Sequence, residues 1–325
     1  MMVGDMVNEK QKGLAYSIQS FLCNAGSLVG FLFPFIFTWI GISNIAPQGV
    51  VPDSVIYSFY IGAAILILCV IYTTVKVKEM PPAEYAEYHG ITEEEEKEKI
   101  NMVKLLVKAP KAFWTVGLVQ FFCWFAFMFM WTYTNGSVAA NVFDAPTVET
   151  AVNGVSKVML DTKSIQYQDA ADWVGVLFAV QAIGSVLWAV CIPLFKDRKL
   201  IYSLSLVLGG LGFISTYFVH NQYVLFISFL LIGCAWAAML ALPFTILTNA
   251  LSGGHMGTYL GLFNGTICIP QIVAASLGGS ILALFTPKGM LPPEINMLVM
   301  AGIMLIIGAV CVYLIKETKG EQTKA

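Results

Sequence analysis

The fold is decided by residues 223–250, which read YVLFISFLLIGCAWAAMLALPFTILTNA. This segment lies within the 88 residues from Leu200 to Pro287, which contain no Asp, Glu, Lys or Arg. A charged content of 12% would place about ten such residues there. A helix of about 20 apolar residues crosses the ~30 Å hydrocarbon core of a bilayer. Residues 223–250 are therefore predicted to form a transmembrane helix.

The rest of the composition agrees with this prediction and excludes several classes of function. Of the 325 residues 58% are hydrophobic, and the mean hydropathy is +0.75, which excludes an ordinary soluble enzyme. A net charge of −2 offers no basic field for nucleic acid. The seven cysteines are scattered in apolar runs without CxxC or Cys/His spacing. No metal site, cofactor or disulfide framework is predicted.

Eight segments are long and apolar enough to span a bilayer, which predicts an all-α integral membrane protein with eight transmembrane helices. The join between the fifth and sixth segments is short, so the topology needs an independent check. The predicted spans are A, 14–40; B, 55–75; C, 112–134; D, 173–195; E, 200–219; F, 223–250; G, 256–285; and H, 295–315.

The positions of the basic residues supply that check. With a cytoplasmic N-terminus, 15 of the 18 Lys and Arg residues fall in cytoplasmic segments, and only Lys157, Lys163 and Lys288 fall on the opposite side. This split predicts eight crossings of the cell membrane with both termini in the cytoplasm. The chain then divides into a two-helix part (1–75), a charged cytoplasmic linker (76–111) and a six-helix bundle (112–325).

Neutral polar and aromatic side chains line one face of several spans, and no ionised side chain lies within any of them. Amides hydrogen-bond hydroxyl groups in both directions, and indole rings stack on the apolar faces of sugars. In span C, Gln120, Trp124 and Trp131 recur at helical spacing. The alternative role for such residues is interhelical hydrogen bonding and packing. The candidate solute-binding residues are Asn24, Gln120, Trp124, Trp131, Tyr133, Asn135, Gln181, Trp188, Asn264 and Gln271.

Small residues and prolines mark candidate packing and hinge positions. Gly257, Gly261 and Gly265 form a ridge of small residues one turn apart, which allows close approach of helix backbones in lipid. Pro243 and Pro270 interrupt the hydrogen-bond ladders of spans F and G, and each leaves a carbonyl free. These prolines are either hinges for gating or static kinks.

The predicted architecture resembles the major facilitator superfamily. The turn Lys196-Asp197-Arg198-Lys199 resembles that family's D-R-x-G-R loop motif, although Leu200 and Ile201 replace a glycine and a second basic residue. Four further stretches are similar to the sucrose and maltose type of proton-coupled glycoside transporter. They run from Gly4-Asp5-Met6 to Lys12-Gly13, from Trp124-Phe125 to Tyr133-Thr134-Asn135-Gly136, through Asp172-Trp173-Val174-Gly175, and from Gly261-Leu262-Phe263-Asn264 to Ile269-Pro270-Gln271.

This resemblance implies a transporter rather than an enzyme. Spans A to H would correspond to helices five to twelve of a twelve-helix carrier, namely two helices of the N-terminal bundle and a complete C-terminal bundle. The chain is thus expected to be an N-terminally truncated form or fragment. The implied function is alternating-access transport of a sugar such as maltose or sucrose, with the lipid bilayer as surroundings and Asp197, Arg198 and Lys199 in a gating loop.

Proton coupling is implied by the same resemblance, through acidic residues of the first half of the family fold. Two alternatives remain open. One is a membrane-embedded enzyme acting on a lipid-linked substrate, which needs a carboxylate cluster or a Ser/His pair that the spans do not offer. The other is a structural membrane subunit that transports nothing.

Overall fold

The structure is a computed structural model that describes residues 7, 11–42, 51, 53–78, 81, 84, 102–152, 155–251 and 256–315. Residues 85–101 of the charged linker and the first residues of the glycoside-transporter resemblance, 4–6, lie outside these ranges. The described part contains ten α-helices. They are α1, Lys12–Trp39; α2, Asp53–Lys76; α3, Met102–Lys108; α4, Lys111–Asn141; α5, Ile165–Cys191; α6, Arg198–Ser215; α7, Leu225–Ala250; α8, Met256–Phe263; α9, Gly265–Phe285; and α10, Ile295–Cys311.

The helices confirm an all-α membrane protein. Among the described residues, seven segments are long and apolar enough to cross a bilayer, and they correspond to predicted spans B to H. Predicted span A is the 28-residue helix α1. Helices are favoured in lipid because each satisfies its own backbone hydrogen bonds where no water is available. The chain is therefore a multi-pass membrane protein.

The short join between spans E and F is confirmed as a break between two helices. Helix α6 ends at Ser215 and α7 begins at Leu225. Between them, Asn221 Oδ1 accepts hydrogen bonds from the N–H groups of Tyr223 (2.9 Å) and Val224 (3.3 Å), which begins the next helical turn.

Two helix boundaries differ from the prediction. Helix α5 begins at Ile165 rather than 173, because the Ser164 hydroxyl caps it by accepting the Tyr167 N–H at 3.3 Å. Span G is two helices, α8 and α9, that meet at Asn264. There the Ile267 N–H bonds to Asn264 O (3.0 Å), and the Phe263 carbonyl accepts the Thr266 hydroxyl at 2.7 Å. A hydropathy pattern does not detect the Ser164 cap or the helix break at Asn264.

The loop between α4 and α5 contains two antiparallel strands that the predicted all-α pattern omitted. Strand β1 (Thr147–Val152) pairs with β2 (Val155–Leu160), and Thr147 lies opposite Leu160. The Asp161 N–H closes the base by bonding to Pro146 O at 2.8 Å. We call the end of the bundle that carries this loop the hairpin end. The opposite end carries the Lys196–Lys199 turn.

Helix α7 is central to the packing. It contacts α1, α4, α5 and α6, while α10 packs on α4 and α6. Helix α1 lies against α5 and α7, with ring contacts between Tyr16 and Phe244 (6.2 Å) and between Phe31 and Phe178 (5.8 Å). Helix α2 packs on α1 and is otherwise largely exposed. The two-helix part thus meets the larger bundle through α1.

Close helix crossings occur at glycines other than those of the predicted ridge. A Cβ at Gly184 of α5 would lie 2.5 Å from Leu230 O of α7, and one at Gly233 of α7 would lie 2.7 Å from Ser185 N of α5. By contrast, no described atom would lie within 4 Å of a Cβ at Gly261, and Gly265 would meet only Ile269 of its own helix. The close approach expected at Gly257, Gly261 and Gly265 therefore stays a prediction.

Candidate functional site

The site begins at a proline in α7. Pro243 has no N–H to give to the carbonyl four residues earlier, which is that of Met239. The side chain of Gln120, on α4, supplies the missing donor: its Nε2 donates to Met239 O at 2.9 Å. Because Gln120 is only 1% exposed, this bond ties α4 to α7 inside the bundle. The two predicted features, Gln120 and Pro243, are thus parts of one arrangement.

One turn along α4 from Gln120, three indole rings meet. The Trp124 and Trp236 rings contact edge to face at 5.8 Å, and Trp131 lies 6.4 Å from Trp124 and 5.7 Å from Trp236. Phe127 closes one side of this group at 4.8 Å from Trp236. Trp124 is buried whereas Trp131 is 44% exposed. The indole cluster (Trp124, Trp131, Trp236) therefore extends from the interior to an accessible edge.

Two polar atoms in this region have no hydrogen-bond partner within the described residues. They are Oε1 of Gln120 and Nε1 of Trp124, and both are buried. Oε1 can only accept a hydrogen bond and Nε1 can only donate one. Leaving such a group unpaired costs about 1–3 kcal/mol. The region thus offers one acceptor and one donor, one helical turn apart, beside an aromatic surface.

The remaining candidates on α1 and α5 lie elsewhere in the bundle. Gln181 is buried on α5 at its close crossing with α7, and Asn24 of α1 is fully buried. Trp188 donates its Nε1 to Ser205 Oγ of α6 at 2.8 Å, so its polar atom is used within the bundle. Among the described residues, no hydrogen bond or ring contact joins Gln181 or Trp188 to the indole cluster.

The candidates near the hairpin end form a separate group. Asn135 Nδ2 donates to the Tyr167 hydroxyl of α5 at 2.9 Å, and Asn135 Oδ1 is buried without a partner in the described part of the chain. The Tyr133 hydroxyl packs on α9 at Gly278, where a Cβ would lie 2.5 Å away. These contacts tie α4 to α5 and α9 beyond the indole cluster.

On the α8–α9 arm, Gln271 is half-buried and Asn264 is exposed at the helix break. Pro270, which is predicted to interrupt the helical hydrogen bonds, lies inside α9, close to that break. No hydrogen bond or ring contact joins either polar residue to the indole cluster among the residues described. The structure thus brings together the α4 candidates and leaves those of α9 apart.

The predicted loop motif has a structural role. Asp197 Oδ1 accepts the N–H groups of Lys199 (2.9 Å) and Leu200 (3.0 Å), and so caps α6. Arg198 is exposed, and Lys199 is half-buried. No group of three or more metal-binding side chains occurs in the described ranges.

Sequence reasoning missed Trp236, which completes the indole cluster. Trp236 lies near the middle of α7, and residues 236, 239 and 243 share one face at helical spacing. That spacing, together with the kink at Pro243, is the signal that could have identified it. A groove of about 440 Å³ also lies at the hairpin end, between α6, α9 and α10, but its lining is mostly apolar and does not include Gln120.

A comparison with curated proteins finds no match. A family model, that of the Major Facilitator Superfamily, matches residues 1–159 and 138–325. These two matches together cover the whole chain, and they agree with the multi-pass helical bundle and with the coarse architecture expected from the loop motif. The chain therefore belongs to the major facilitator superfamily of membrane transporters.

Proposed function

We propose that this transporter carries a neutral sugar, a di- or oligosaccharide such as maltose or sucrose, by alternating access coupled to protons. The observation that carries the proposal is the unpaired Gln120 Oε1 and Trp124 Nε1 beside the indole cluster. Sugar hydroxyls both donate and accept hydrogen bonds, so a sugar offers partners for either atom, and the indole faces suit a pyranose ring.

The surroundings favour an uncharged solute. Helices α4 and α7, which carry the indole cluster and Gln120, have no charged side chain apart from Lys111 at the start of α4. A charged solute buried there would have no counter-ion, which is costly in a low-dielectric interior. The positive-inside distribution of Lys and Arg supports a cell-membrane orientation with both termini in the cytoplasm.

The decisive variant is Trp124→Phe, which removes the indole N–H and keeps an aromatic ring. We expect it to weaken glycoside binding about fivefold to tenfold, the contribution of one hydrogen bond. Binding is measured by titrating the purified chain in nanodiscs with maltose or sucrose. The matched control is Trp114→Phe, the same change on the same helix at an exposed position, and it should leave the affinity unchanged.

The same titrations distinguish the proposal from a purely structural role. If no glycoside binds the unaltered chain, the sugar assignment is wrong. If glycosides bind equally well to Trp124→Phe and to Gln120→Ala while only stability falls, the polar face serves packing, and the solute site lies elsewhere. Uptake of labelled sugar into proteoliposomes then tests transport itself.

A further inference from the structure

A carboxyl group that the proposed sugar site does not use lies at the hairpin end. Glu294 is the N-cap of α10, directly before the span Ile295–Leu314, and it is half-buried. Its carboxylate packs against α4 at Gly136. A Cβ at Gly136 would lie 2.8 Å from Oε1 of Glu294 and closer still to Oε2 and Cδ. Because Gly136 has no side chain, the surface of α4 has a notch at this position, and the carboxyl group of Glu294 occupies it.

The notch provides no counter-charge. Among the described residues, Glu294 has no ion pair and no side-chain hydrogen bond. Tyr133, one turn before Gly136 on α4, is a titratable group that interacts electrostatically with the carboxylate, and α9 and α10 carry no charged side chain. Other titratable groups at this end exert no resolved electrostatic effect on the carboxyl; they include Asp144, Glu149, Lys157, Asp161, Lys163, Tyr167, Asp169, Asp172, Tyr217, His220, Tyr223 and Lys288.

Burial therefore controls the protonation of this group. It raises the pKa of Glu294 from its ordinary 4.5 to about 7. Because the folded state holds the proton more tightly than the unfolded chain does, the stabilisation is complete below about pH 4.5 and is lost as the pH rises through about 7. An ionised carboxylate in the notch would be only partly hydrated and would have no counter-charge, which is costly.

We propose that Glu294 is a proton-binding residue whose neutral carboxyl docks in the Gly136 notch and whose ionised form leaves the notch for water. Departure of the carboxyl loosens the contact between α10 and the last turns of α4. Helix α4 also carries Trp124 and Trp131, so a shift of α4 moves part of the indole cluster. The link between this protonation and solute movement rests on the proposed function.

The proton site is tested by infrared difference spectroscopy of the full chain in nanodiscs, between about pH 5 and about pH 9, on either side of the raised pKa. We expect a carboxylic-acid C=O band that disappears with a midpoint near pH 7. Glu294→Gln should abolish the band, whereas Asp144→Asn, at an exposed carboxyl of the same end, should retain it. Gly136→Ala should expel the carboxyl and move the midpoint towards the ordinary value.

A conformational readout uses hydrogen exchange of residues 135–141, the end of α4. We expect exchange to accelerate above the midpoint in the unaltered chain and in Asp144→Asn, and to show no such step in Glu294→Gln at the same pH values. A band that survives Glu294→Gln, or a midpoint unmoved in Gly136→Ala, would overturn the proton site. The same exchange step in all three proteins would overturn the conformational part.

Transport separates this inference from the sugar assignment. In proteoliposomes, Glu294→Gln should bind glycoside normally and lose the acceleration of uptake by an inward proton gradient. Retained acceleration would refute a coupling role for Glu294. If the unaltered chain binds no glycoside, the proposed function fails, and the infrared titration still decides whether Glu294 binds the proton.

Discussion

Two tryptophans with the same expected role occupy contrasting environments. Trp188 donates its Nε1 to Ser205 Oγ at 2.8 Å, and the Ser205 hydroxyl donates to Ile201 O at 2.6 Å. Trp124 has a buried Nε1 without a partner in the described structure, and its ring contacts Trp236. Residue type does not distinguish the two. The pairing of the polar atom does, and it separates a residue used in packing from one available to a solute.

The same contrast extends to the surroundings of each residue. We call the α5–α6–α7 contact with Gly184, Trp188 and Ser205 the packed side, and the α4–α7 contact with Gln120 and Trp124 the open side. On the packed side, backbones approach so closely that no added atom fits at Gly184. On the open side, Gln120 and Trp124 each have a buried polar atom without a partner in the described structure. Mutations on the packed side should therefore change stability, and those on the open side should change binding.

The largest effect is expected for Gly184→Ala. The new methyl would lie 2.5 Å from Leu230 O and 2.9 Å from Leu230 Cα, both backbone atoms of α7 that cannot move aside cheaply. We expect a loss of about 3 kcal/mol in the free energy of unfolding, the upper range for overpacking. SDS denaturation in mixed micelles measures it.

The control on the same helix is Gly175→Ala, where no described atom lies within 4 Å of the new Cβ. It should stabilise α5 by about 0.5–1 kcal/mol through helix propensity. Equal effects at the two positions would contradict the assignment of the α5–α7 crossing to the packed side.

Much of this architecture was predictable because the dominant physics is local. A bilayer demands long apolar helices, so spans B to H could be located from hydropathy, and the break between α6 and α7 followed from the polar residues at 220–222. Helix ends were less predictable, since they depend on single caps such as Ser164 and on the Asn264 turn.

The pairing of side chains was not predictable, because periodicity gives a face and not a partner. The sequence indicated that Pro243 frees a carbonyl and that Gln120 carries an amide, but only the packing of α4 on α7 joins them. The same limit hid Trp236 and the contact of Glu294 with Gly136, and it left Trp188 indistinguishable from Trp124. The hairpin had a local signal, Asn153-Gly154 between two β-prone runs, which the hydropathy of the spans outweighed.

A smaller effect is expected from the Trp188–Ser205 pair. Ser205→Ala removes the acceptor of the indole N–H of the part-buried Trp188, which should cost about 1–2 kcal/mol of stability. Trp188→Phe should cost about 0.6 kcal/mol, the average for an interhelical hydrogen bond in lipid. Neither change should alter glycoside affinity. The double variant measures the coupling energy between the two residues. A coupling energy near zero, together with weakened glycoside binding, would show that Trp188 belongs to the open side instead.

The smallest effect is expected for Asp197 in the loop motif. Here too the question is whether the polar group is already used by hydrogen bonds within the fold. Both hydrogen bonds of Asp197 Oδ1 serve the first turn of α6, so its measured role should be that of a helix cap. Asp197→Ala should lower stability by about 0.5–1 kcal/mol. Asp197→Asn keeps a capping oxygen and removes the charge, so a cap predicts nearly unchanged stability and uptake. A gating role for the charge predicts instead that Asp197→Asn slows uptake without lowering stability. Measuring the uptake rate and the thermal unfolding of both variants decides between the two roles.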